Sequence, residues 1–137
     1  NGHMNETNYL EVCSQATDKF MEMLGMDADY IKLTDESYFT VETHICHINE
    51  AKEGMRISAK TQVLEASGKK LRLFHILETD NGNIVATGEH MLLHVSLKTR
   101  STSLPSKKIA LNLEKLFKIH SELPWPDGAG RSIGNKN

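Results

Sequence analysis

Near residue 35 the spacing of apolar residues changes, and that change leaves the chain few folds to adopt. Before it, Tyr9, Cys13, Ala16, Phe20 and Leu24 recur at intervals of three and four, and Leu10, Met21 and Met23 widen the stripe. The spacing predicts one amphipathic helix over about Asn8–Leu24. Asn5 or Thr7 is placed to cap it, and Gly25 to end it. After it the period becomes two. Phe39, Val41, Thr43 and Ile45 alternate with Thr40, Glu42 and His44 in a strand over Tyr38–Ile48, rich in β-branched and aromatic residues. Met55–Ala66, Lys70–Thr79 and Ile84–Leu97 read as three more strands, Lys70–Thr79 with Leu71, Leu73, His75 and Leu77 on one face. Lys52-Glu53-Gly54, Ser67-Gly68-Lys69 and Asp80-Asn81-Gly82-Asn83 supply the turns between them.

A polar connector, Lys98–Pro105, leads to a second helix over Lys107–Ser121, striped by Ile109, Leu113, Leu116 and His120 with Leu111 and Phe117 beside them. Pro124-Trp125-Pro126 stops it, and the tail Asp127–Asn137 reads as irregular. A long helix ahead of an antiparallel meander predicts an α+β fold with the helix laid across one face of the sheet. The other face is more polar, so it meets solvent or a second subunit.

The 137 residues fit one domain, and the composition, 39% hydrophobic and 25% charged, is that of a globular protein. A net charge of −2 gives no general attraction to nucleic acid or anionic lipid. No apolar run is long enough to span a membrane, and no basic-then-apolar leader opens the sequence. The expectation is a cytoplasmic protein. Cys13 and Cys46 lack a paired or metal-binding spacing and read as reduced thiols. His44 and His47 lie three apart on a strand and point to opposite faces. His90 and His94 share a face but lie about 13 Å apart at strand rise. Neither pair chelates alone, so no metal is expected.

The opening Gly2-His3-Met4-Asn5, with Tyr9 one helical turn on, resembles the segment that leads into the central helix of hotdog-fold acyl-CoA thioesterases of the 4-hydroxybenzoyl-CoA thioesterase type. Val85–Val95, followed by Arg100 and Leu104-Pro105, resembles that family's last strand and exit. Glu6–Gly25, Tyr38–Ala51, Leu123-Pro124 and Gly128-Ala129-Gly130-Arg131 with Ile133-Gly134 are similar, more narrowly, to betainyl-CoA thioesterases, including the thioesterase domain fused to some carnitine dehydrogenases.

The resemblance implies a hotdog fold, with a long central helix wrapped by an antiparallel sheet. The hotdog domain would be residues 1–105, with residues 106–137 a C-terminal helix and tail packed on it. It implies hydrolysis of a small acyl-CoA, betainyl-CoA by its narrower form, with no cofactor. Active sites between subunits imply a homodimer or a dimer of dimers. His3 and Asn5 belong to the implied catalytic segment. In the family an acidic residue lies just upstream of that segment, and a strand precedes the helix; both fall outside this sequence. Within it, Glu6 and Glu11 are the nearest carboxylates. Gly2 and Met4 line the approach to substrate. A betaine group carries a quaternary ammonium, which aromatic faces and carboxylates hold; Tyr9, Tyr38 and Trp125 are the candidates, while Phe39 reads as core. Arg100 and Arg131 are the candidates for the phosphates of CoA. The alternative is a non-catalytic hotdog module that binds acyl-CoA or serves dimerisation. A hotdog dehydratase would show a different Asp/His segment, with a proline before the helix, and none is present.

Overall fold

The computed structural model describes residues 2–135. Helix α1 (Glu6–Leu24) is followed by a short α2 (Ala28–Thr34), then strands β1 (Glu36–His47), β2 (Ile57–Ser67), β3 (Lys70–Thr79), β4 (Ile84–Ser96) and β5 (Ser101–Thr102), and α3 (Lys107–His120). Asn5 is the cap: its side chain accepts from the Thr7 N–H at 3.3 Å. Gly25 closes the helix at φ 99°, a left-handed geometry that favours glycine.

The strands pair antiparallel in the order β1-β4-β3-β2, with β5 folded back on the Val95–Ser96 end of β4. α1 lies across one face, as the apolar stripe predicts. Tyr9, Cys13, Phe20 and Leu24 are buried from it. Two apolar clusters form there. One gathers Phe20, Leu24, Val63, Leu71, Leu73 and Leu92 with Ile109 and Leu113 of α3. The other gathers Tyr9 and Cys13 with Ala51, Leu77, Val85 and Ala86. At Gly88 the helix touches the sheet so closely that a Cβ there would stand 2.5 Å from Cys13 Sγ.

Three features differ from the sequence reading. First, β1 does not alternate evenly. A bulge between Thr40 and Glu42 inserts Val41 as an extra residue, which reverses the faces of everything beyond it. Tyr38 faces the core before the bulge; after it, Thr43 pairs with buried His90. Phe39 and Val41 are therefore about half exposed, so Phe39 is not core. Second, the Asp27-capped α2 was not predicted; at seven residues it is too short to show a helical period. Third, the outer face of the sheet is partly covered by the chain's own tail. Arg72 donates Nε–H to Glu89 at 2.7 Å, Glu89 accepts the Gly130 N–H at 2.7 Å, and the Arg72 guanidinium lies over the Trp125 ring. The tail's last residues, Lys136 and Asn137, lie outside the described residues.

Candidate active site

The start of α1 is held against the loop that follows β1. Met4 N–H donates to the Ala51 carbonyl at 2.7 Å, and Glu53 N–H donates to the Gly2 carbonyl at 2.9 Å. Gly2 takes φ 71°, so glycine suits the bend. These ties place His3, Met4, Glu6 and Tyr9 around a cleft of about 500 Å³, closed on its far side by His47, Ile48, Asn49 and Glu50. Tyr9 is buried and meets His47 edge to face, with ring centroids 4.9 Å apart. Asn49 is tethered, its Nδ2 donating to the Ile84 carbonyl at 2.8 Å.

The cleft sits where the first backbone N–H groups of α1 have no partner one turn back. Asn5 takes up the Thr7 N–H with its side chain and the Asn8 N–H with its carbonyl. Glu6 N–H remains at the head of the helix, with the positive end of the helix dipole behind it. This arrangement can hold a developing oxyanion. Glu6 and Glu50 add carboxylates to the same cleft, and His3 and His47 add imidazoles.

The structure gathers the opening residues expected to act together and separates the others. Glu11 is exposed on α1 and does not line this cleft. Tyr38 lies near the other end of α1, in a second cleft with Asp18, Glu22 and His90. Arg100 sits in the turn between β4 and β5 at φ 58°. Trp125 lies on the outer face over Arg72; Arg131 lines a cleft there with Arg72, Glu89 and His44. Asn1 lies outside the described residues. His47, Asn49 and Glu50 were missed as site residues. Strand alternation beyond the bulge puts His47 on the helix face, but the bulge itself gave no signal in the sequence.

Between the two apolar clusters runs a polar seam. Thr17 donates to the Cys13 carbonyl at 3.0 Å, so its oxygen is left to accept from His75 Nε2 at 2.9 Å. His75 Nδ1 then accepts from the Thr61 hydroxyl at 2.8 Å. Burial, and next the neighbouring His90, push the His75 imidazole down to about 3. His90 is lowered by burial and has Nδ1 within 3.2 Å of the Thr43 hydroxyl. Both rings are neutral at pH 7 and serve the core, not the cleft at the helix start.

An antiparallel sheet wrapped on a long helix, with an open cleft at the helix start, defines a hotdog fold. The chain belongs to the Thioesterase-like superfamily, whose sequence model matches residues 1–123. It is 48% identical over 133 residues to L-carnitine dehydrogenase/betainyl-CoA thioesterase of Ruegeria pomeroyi, covering 97% of this chain and 27% of that protein. It thus spans about a quarter of the length of the first curated relatives it matches. It is 38% identical over 135 residues to the betainyl-CoA thioesterase of Pseudomonas aeruginosa, covering 98% of this chain and 85% of that one. Among solved structures, the Staphylococcus aureus protein SAV2348 in complex with CoA superposes with a TM-score of 0.92 at 22% identity, over 98% of this chain and 85% of that one. A Pseudomonas putida protein provisionally described as a thioesterase superposes with a TM-score of 0.82 at 31% identity, over 97% of this chain and 85% of that one.

Proposed function

We propose that this chain is an acyl-CoA thioesterase whose substrate is betainyl-CoA, hydrolysed at the cleft around the start of α1. The observation that carries the reading is the convergence of Glu6, Glu50, His3 and His47 on the head of α1. The names of the relatives supply the substrate. The thioester carbonyl would lie against the Glu6 N–H, with the helix dipole stabilising the oxyanion. Glu6, the first residue of the helix, is the carboxylate we assign as general base, taking a proton from the attacking water; His3 orients that water, and Asn5 fixes the helix head. Met4 and Tyr9 bound the acyl side. The cationic nitrogen of a betainyl group withdraws electrons from the carbonyl beside it, so attack by water needs less assistance than on a simple alkyl thioester.

The assembly we propose is a homodimer through β1, in the cytoplasm, where CoA thioesters are found. Among the described residues the outer edge of this 12-residue strand has no partner, and it exposes Phe39 and Val41. A long uncovered edge of that kind invites another strand. Antiparallel pairing of two copies about the strand's midpoint is chemically self-consistent. It sets Glu36 opposite His47, Thr40 opposite Thr43, and Val41 opposite Glu42, with no like charges facing. It also brings the β4–β5 turn, with Arg100, toward the helix start of the other copy, where the phosphates of CoA would need a cation. Arg131, on the outer face, is not placed to help.

Thiol release from a panel of acyl-CoAs tests the activity. Betainyl-CoA is expected to be hydrolysed fastest, and Glu6→Gln to lower kcat at least a hundredfold. Full activity in Glu6→Gln would move the assignment to Glu50. CoA binding without thiol release from any thioester would refute the enzyme reading in favour of a binding module. Light scattering on Val41→Lys tests the interface, and an unchanged mass would exclude it.

A further inference from the structure

The tail after α3 crosses the outer face of the sheet strand by strand, and its course has a direction. Gln62 of β2 donates Nε2–H to the Pro124 carbonyl at 3.4 Å. Trp125 lies against Arg72 of β3, its ring centroid 5.5 Å from the guanidinium carbon, and Gly130 N–H reaches Glu89 of β4. Arg131 and Ile133 then stand with Glu42 and His44 of β1 around a cleft of about 510 Å³. The order β2, β3, β4, β1 is the order of the strands in the sheet. The tail therefore arrives at the outer edge of β1, where the dimer proposed above would form.

What the tail carries to that edge is unfinished in a single chain. Ile133 is 89% exposed. The Arg131 Nε is buried with no hydrogen-bond partner. Among the described residues Arg131 makes no ion pair and neither does Glu42, although both line the same cleft. Buried polar atoms are almost always paired, and a guanidinium offering Nε–H and Nη–H together takes a carboxylate through two parallel hydrogen bonds.

We infer that the tail is a strap between two copies of the chain: Ile133 packs on Phe39 and Val41 of the partner subunit, and Arg131 neutralises the Glu42 carboxylates that meet at the seam. The inference rests on the β1-dimer reading. Phe39 pairs with Leu93, and Glu42 and His44 pair with Met91 and Glu89, so all three β1 side chains point to the outer face. Pairing about the strand's midpoint sets His44 opposite Phe39 of the partner subunit and Glu42 opposite Val41 of the partner subunit. The two exposed apolar side chains of the edge thus come against the cleft that Ile133 lines. The same pairing places the two Glu42 residues on adjoining strands one residue out of step, their backbones roughly 6 Å apart. Carboxylates at that spacing repel, so the seam needs a cation. Arg72 is already committed to Glu89 at 2.7 Å. Arg131 is the guanidinium left over, and two-fold symmetry supplies one for each Glu42.

The test is the dimer dissociation constant, measured by sedimentation equilibrium. Arg131→Ala is expected to weaken the dimer about tenfold or more, because it leaves two carboxylates unneutralised at the seam. Adding Glu42→Gln should return the constant to within about threefold of wild type, a rescue that a tail acting only by packing would not give. A wild-type dimer that Arg131→Ala leaves unchanged would overturn the strap while the dimer stands. A wild-type chain that stays monomeric at every concentration would instead refute the β1 dimer, and the strap with it. Cross-linking supplies a second measure that does not depend on charge. In a Cys46→Ser background, a tagged chain with Ile133→Cys is mixed with an untagged chain with Phe39→Cys and exposed to glutathione disulfide. A disulfide joining tagged to untagged chains is expected. Its absence from chains that sediment as dimers would overturn the inference.

Discussion

Acid should weaken this protein through one imidazole. His75 is fully buried between Thr17 of α1 and Thr61 of β2, and its folded-state value is pushed to about 3 from an ordinary 6.5. Between those values the unfolded chain binds a proton that the folded chain rejects, so stability that is complete above pH 6.5 drains away as pH falls toward 3. At pH 5 the loss relative to pH 8 is about 2 kcal/mol from His75 alone. His90 is lowered by burial as well and adds a loss of the same sign. The comparison is His75→Gln, whose amide can bond both threonines but does not titrate. Urea unfolding at pH 8, 7, 6 and 5 should show the wild type losing about 2 kcal/mol more than the variant across that range, with similar m-values. Parallel pH profiles, or an NMR titration in which His75 protonates near 6.5, would refute the reasoning.

Gly88→Ala should cost about 1–3 kcal/mol, because the new methyl would sit 2.5 Å from Cys13 Sγ. Adding Cys13→Ala should recover part of that cost; strictly additive losses would show that the contact is not the cause. In the folded protein a thiol reagent should modify Cys46 quickly and Cys13 only on unfolding, since Cys13 is buried and its thiol is pushed up to about 11. Two fast thiols per chain would contradict that placement. Glu89→Gln removes the carboxylate that joins Arg72 to Gly130 and should loosen the tail, seen as a red shift of Trp125 emission and faster tryptic cleavage after Arg131. Unchanged emission would show that other contacts hold the tail.

Much of the candidate cleft was legible because it is local. Gly2, His3, Met4, Asn5, Glu6 and Tyr9 lie within eight positions of one another at the head of α1, so bringing them together needs no distant contact. Glu11 was misplaced for the same reason. Nearness along the helix suggested a role, but its azimuth turns it out of the cleft. His47 and Glu50 come from a strand end brought back against Tyr9, and no local period announces that return.

Periodicity and turn chemistry are local, so the sequence alone determined α1 with its Gly25 stop, the four long strands and the α+β class; of the two caps it offered, the structure uses Asn5, and it adds the short β5 within the polar connector. The tertiary structure decided what depends on contacts between distant residues. It set the pairing order that puts β1 beside β4 and the Val41 bulge that turns Phe39 outward. It also placed the tail across the outer face and the His75 seam between two apolar clusters. A bulge or a buried imidazole is settled by what packs across from it, and that partner lies tens of residues away in the chain.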